Sequence, residues 1–130
     1  MLDWQGIGRS TRRRQEALNL IFSKHPEFLE FVFDKSVPRL RDEPEVLLTQ
    51  AGVFSTGEKI LIRIAIDLWC GKGNVNLWDM VERLDLYNYK HVLAGLRHLR
   101  PNEEDGGPLV WRQPKMAYFD MECRSKPTLT

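Results

Sequence analysis

Cysteine is nearly missing: Cys70 and Cys123 are the only 2 among 130 residues, and no Cys-x-x-Cys pair exists. That excludes a disulfide framework and predicts two reduced thiols in an intracellular protein. Long hydrophobic runs are missing too. No stretch approaches the ~18 apolar residues of a membrane span. The opening Met-Leu-Asp-Trp-Gln-Gly-Ile-Gly has no apolar core of signal-peptide length, so the expectation is a cytoplasmic chain with no membrane partner. Net charge is only +1, so the whole-chain balance gives no argument for nucleic acid. Catalytic signatures are also lacking. There is no His-x-x-x-His, no phosphate-cradling glycine loop and no nucleophile elbow. His91 and His98 share a helix face but stand about 10 Å apart along the axis, too far for one metal ion. His25 precedes a proline and reads as a loop or cap residue. Gly71-Lys-Gly73 lacks the Lys-Ser/Thr of a P-loop and reads as a helix cap. Asp79, Glu82 and Asp85 read as a solvated helix face. The expectation is no enzyme, no catalytic residue, no metal and no cofactor.

What is present is a composition that folds, 42% hydrophobic and 28% charged, long enough for one core. The stretch most able to organise it runs from Ser55 to Gly71. Ser55 and Glu58 form a capping box, and Gly71 suits the left-handed position after a last turn. Between them Lys59, Arg63 and Asp67 recur every fourth residue as one narrow polar stripe. The remainder is apolar, which predicts a helix buried on most sides, with Ile64 fully buried. Trp69 at its end reads as core.

Ahead of this helix, residues 1–10 read as a flexible arm with Gly6 and Gly8, which Leu2, Trp4 and Ile7 can dock onto the body. Ser10 or Thr11 caps a helix reaching about Lys24, with Ala17, Leu18, Ile21 and Phe22 on its apolar face. Arg12, Arg13 and Arg14 sit in its first turn, where the helix dipole disfavours cations. Helix stability does not ask for them, which marks them as functional candidates. Pro26 opens a second helix carrying Phe28, Leu29, Phe31, Val32 and Phe33; these rings pack in the core, or one is offered to a partner. A charged connector follows. Pro44 restarts a short helix over 45–51 with Val46, Leu47 and Leu48 buried, and Val53 staples the next helix.

After Gly71, Asn76 caps a short helix over 77–84 with the face Leu77, Met80, Val81 and Leu84. A turn over 85–88 leads to a helix ending at about Arg100, with Tyr89, Val92, Leu93 and Leu96 on its stripe. Pro101 stops it. Residues 109–112 and 117–120 read as a β-hairpin around a Gln113–Met116 turn, and 122–130 as a tail.

Helix, short helix, tight turn, helix, hairpin is an order that resembles the winged helix-turn-helix superfamily over about residues 55–120. The resemblance implies a mainly α fold with a helix-turn-helix-like core and a C-terminal β-hairpin wing. The compact domain spans 11–121, with N-terminal helices over 11–52 and the winged-helix-like part over 53–121. It also implies that the helix over 88–100 recognises DNA. Asn88, Lys90, His91 and Arg97 lie off its apolar stripe, where they could reach phosphates and base edges. Arg112 and Lys115 fall near the wing tip, and Arg12, Arg13 and Arg14 could track phosphates from the arm. Against this, Arg97 and Arg100 also suit a helix C-terminus, and Glu103-Glu104-Asp105 would repel phosphates. The leading expectation is a small non-enzymatic protein binding double-stranded DNA, a regulator or mobile-element accessory factor. The other is a protein-binding adaptor or inhibitor on the same scaffold. For that reading Trp78, beside the Leu77/Val81 stripe, is the interface candidate. Self-association as a homodimer is left open.

Overall fold

The structure, a computed structural model, describes residues 1–100. Six helices form there: α1 (Arg9–Ile21), α2 (Glu27–Val32), α3 (Pro44–Gln50), α4 (Thr56–Cys70), α5 (Leu77–Arg83) and α6 (Leu86–His98), with a 3-10 turn at Ala51–Val53. The fold is mainly helical, with no strand among the described residues beyond an isolated antiparallel bridge between Phe33 and Leu40. The hairpin expected over 109–120, with Arg112 and Lys115, lies outside the described residues. The chain divides into two units, Met1–Leu99 and Arg100–Thr130.

α4 forms as its local chemistry dictates. Glu58 N–H donates to Ser55 Oγ at 3.3 Å, and Ser55 N–H donates to Glu58 Oε1 at 3.0 Å. Gly71 closes the helix at φ 76°. Ile60, Leu61, Ile62, Ile64, Ala65 and Ile66 are all buried, and Ile64 is 4% exposed. Helices α1, α2, α3 and α5 all touch α4. Trp69 is half-buried rather than enclosed, with its ring 5.5 Å from Trp4 and 5.4 Å from Phe33.

The most extensive helix pair is α1 with α6. They run antiparallel: Glu16 meets His98 at one end and Lys24 lies over the Tyr87 ring at the other. Close approach is possible because Gly95 has no side chain. A Cβ there would stand 2.9 Å from the Ala17 carbonyl oxygen.

Several local expectations change. α1 begins at Arg9 with Gly8 as its N-cap and no side-chain cap, so neither Ser10 nor Thr11 caps it. The first residues, expected as a flexible arm that Leu2, Trp4 and Ile7 can dock, are held against the body. Leu2 and Trp4 are buried. Asn19 exchanges hydrogen bonds with both the N–H and the carbonyl of Leu2, each 3.0 Å. Trp4 N–H donates to Gln15 Oε1, and its indole donates to the Asp34 carbonyl at 2.9 Å. Val53 is 85% exposed and staples nothing. The 3-10 turn instead presents Phe54, packed edge-on against Phe28 and Phe31 at 5.2 and 5.3 Å. Of the phenylalanines, Phe28 and Phe33 are core, while Phe31 is half-buried under the Arg41 guanidinium. Leu47 alone is fully buried in α3, and Val46 is exposed. No four-residue turn precedes the last helix. Asp85 caps α6 directly, accepting from Asn88 N–H at 2.7 Å, so Leu84 and Asp85 are the whole connector from α5.

Candidate interaction surfaces

Of the four arginines of α1, Arg12, Arg13 and Arg14 are those expected to line a basic surface, and each of these three reaches a main-chain carbonyl. Arg12 Nη2 donates to Ile7 O, Arg13 Nη1 to His98 O and Arg14 Nη1 to Trp69 O, all at 3.4 Å. Such lengths are at the weak end for hydrogen bonds. Their position matters more. His98 ends α6 and Trp69 lies in the last turn of α4, so Arg13 and Arg14 stand against the negative ends of two helix dipoles. Arg14 also lies over the Trp69 ring, 5.5 Å from its centroid. The cations disfavoured at the start of their own helix are thus stabilised by the ends of two others.

On α6 the polar residues, among them the expected DNA-binding Asn88, Lys90, His91 and Arg97, separate into two groups. Asn88 spends its amide on the Asp85 carboxylate at 3.2 Å. His91 Nδ1 lies 2.9 Å from the Tyr87 carbonyl oxygen, with its ring 4.5 Å from the Tyr87 ring. His98 Nε2 lies 2.8 Å from Glu16 Oε1. These three are partly covered. Lys90 and Arg97 are exposed, with no carboxylate partner among the described residues. Arg13 contacts the carbonyl next to Arg97, so the structure brings one arginine of α1 to the C-terminal end of α6. It does not line all three up beside Lys90. His91 and His98 are engaged separately, and no group of metal-binding side chains occurs among the described residues. Cys70 is a free thiol.

The larger surprise is apolar. α5 is only two turns long and rests on α4 through Met80 and Leu84. Leu77 and Val81, expected to be buried with them, face solvent instead, with Leu77 70% exposed. Trp78 beside them is 65% exposed. On α6, Leu86 and Leu93 are exposed as well, at i and i+7. Lys90 and Arg97 continue that stripe at i+4 and i+11. The exposed residues of α5 are therefore largely apolar, and those of α6 combine apolar groups with cations. Exposed Trp78 could be read from its place off the α5 stripe. Leu77 could not, because helical spacing alone gives no sign that two of the four stripe residues are left exposed.

A second feature is a cleft of about 170 Å³ between the first half of α4 and α5, lined by Thr56, Lys59, Ile60, Arg63, Asp79 and Arg83. Asp79 is paired with Arg83 one turn on, at 3.5 Å. Among the described residues no helix is long and apolar enough to cross a membrane. Comparison of the chain with protein-family models, curated proteins and solved structures finds no match.

Proposed function

We propose that this chain is a non-enzymatic protein-binding module, and that its partner presents an acidic amphipathic segment to the α5–α6 face. The observation that carries this reading is the exposure of Leu77, Trp78, Val81, Leu86 and Leu93 on two consecutive helices. Large apolar side chains grouped on a surface favour a partner that removes them from water. Tryptophan is the residue type most often central to such contacts. Lys90 and Arg97, interleaved with Leu86 and Leu93, favour acidic residues in that partner and disfavour a basic one. An amphipathic helix laid across the pair would satisfy both demands.

The test is a capture experiment with two baits, the protein and its Trp78→Ala variant, followed by reconstitution of any selectively retained partner. A synthetic peptide of the partner's acidic segment should bind the protein, and Trp78→Ala should weaken it by about 30-fold, the effect of a ~2 kcal/mol hot spot. Unchanged affinity in the variant would refute the proposal. So would sedimentation showing that a second copy of the chain covers this face.

A second reading, binding of duplex DNA through a winged-helix arrangement, draws support from one observation. Arg13, in the N-terminal half of α1, reaches the His98 carbonyl at the end of α6, next in sequence to exposed Arg97. It would appear as an affinity falling steeply with salt. Replacing Arg12, Arg13 and Arg14 together should then reduce the log–log slope by up to ~3. No binding at low salt would end it.

A further inference from the structure

The α4–α5 cleft has a charge pattern that its own packing does not explain. Lys59 and Arg63 stand at i and i+4 on α4, and Arg83 joins them from α5. Like charges at that helical spacing oppose helix formation by a few tenths of a kcal/mol. The one carboxylate in the cleft, Asp79, is already bound to Arg83. Lys59 and Arg63 have no carboxylate partner among the described residues, although both are half-buried. Three cations against one anion leave a local excess of two positive charges. Thr56, in the first turn of α4, adds a hydroxyl, and the positive end of the α4 dipole adds to the same field.

We infer that this cleft binds a phosphate group, either inorganic phosphate or the phosphoryl end of a small phosphate monoester. The charge matches: a phosphate near neutral pH carries close to two negative charges. The donors match as well, since a guanidinium can hold two phosphate oxygens at once while an ammonium acts as a point charge. The cleft, about 170 Å³ and open to solvent, has room for a phosphoryl group. Ile60 supplies the cleft's apolar floor. The site is independent of the apolar α5–α6 face, because Trp78 is not among its lining residues.

The experiment is a titration of the full chain followed by amide chemical shifts, with inorganic phosphate in one arm and glycerol 2-phosphate in the other. Sodium chloride at matched ionic strength is the control. Saturable shifts at Thr56, Lys59, Arg63 and Arg83 are expected in at least one phosphate arm, and which arm binds more tightly identifies the source. Arg63→Gln and Lys59→Gln should each weaken binding roughly tenfold to a hundredfold, the loss of one charged hydrogen bond. Trp78→Ala should leave it unchanged. Shifts that never saturate, that sodium chloride reproduces, or that survive both glutamine variants would overturn the inference. Thermal melts of the two variants check their folding, and whichever variant stays folded decides the outcome.

Discussion

Gly95→Ala and Gly57→Ala are the same change in two helices, and the structure predicts opposite signs. Glycine inside a helix costs about 1 kcal/mol relative to alanine, so propensity alone says both variants gain stability. At Gly57, near the start of α4, an added Cβ meets nothing within 4 Å. A gain of up to ~1 kcal/mol should therefore survive. At Gly95 the new Cβ would stand 2.5 Å from Ile21 Cγ1, 2.7 Å from Ile21 Cδ1 and 2.9 Å from the Ala17 carbonyl oxygen. Ile21 is 1% exposed and cannot swing into solvent. The carbonyl can move only if the α1 backbone moves. Overpacking of this kind costs about 1–3 kcal/mol, and three contacts this short argue for the upper part of the range. After the propensity gain, Gly95→Ala should lose about 1–2 kcal/mol. Each kcal/mol corresponds to a fall in Tm of about 4–8 °C for a domain of this size. Thermal and urea melts by far-UV circular dichroism measure both variants. If Gly95→Ala melted higher than the unaltered protein, the close antiparallel packing of α1 on α6 would be refuted, and with it the reason Arg13 reaches the end of α6.

Other outcomes follow from the same structure. Ile64→Ala removes a side chain that is 4% exposed in the middle of α4 and should cost about 2–5 kcal/mol; an unchanged urea midpoint would show that α4 is not core. Trp4→Ala should cost about 3–5 kcal/mol, because Trp4 is 4% exposed and packs edge-on against Phe33. A free N-terminal arm would leave the melt unaltered. Asp34 should titrate below the ordinary carboxylate range, chiefly because Ser36 N–H donates to it; desolvation opposes this, and Val37 N–H and Arg39 add to the lowering. A lowered folded-state pKa means that its contribution to stability is present above the unfolded value and is lost as pH falls through the folded one. A carboxyl-carbon shift titration with a midpoint at or above the ordinary value would contradict this geometry.

Reading the chain without its fold goes as far as interactions spanning about four residues. The Ser55–Glu58 box, Gly71, the Asn76 cap and the order of the six helices are of this kind, because a cap is complete within one turn. The burial of Ile64 was legible too, since a helix with a single polar stripe must be surrounded. A partner from distant sequence leaves no mark within four residues. Gln15 and Asn19 look like ordinary polar helix positions, yet they hold the N-terminal residues down. Leu77 and Val81 look like core, yet both are exposed, with no covering element among the described residues. Arg13 and Arg14 show the cause most plainly. In sequence they are cations misplaced at the positive end of a helix. In the fold they meet carbonyls 85 and 55 positions away, at the negative ends of α6 and α4. A residue's own helix sets the sign of the field it starts from. Only the antiparallel packing of α1 on α6 and its approach to the end of α4 decide which field it finally feels.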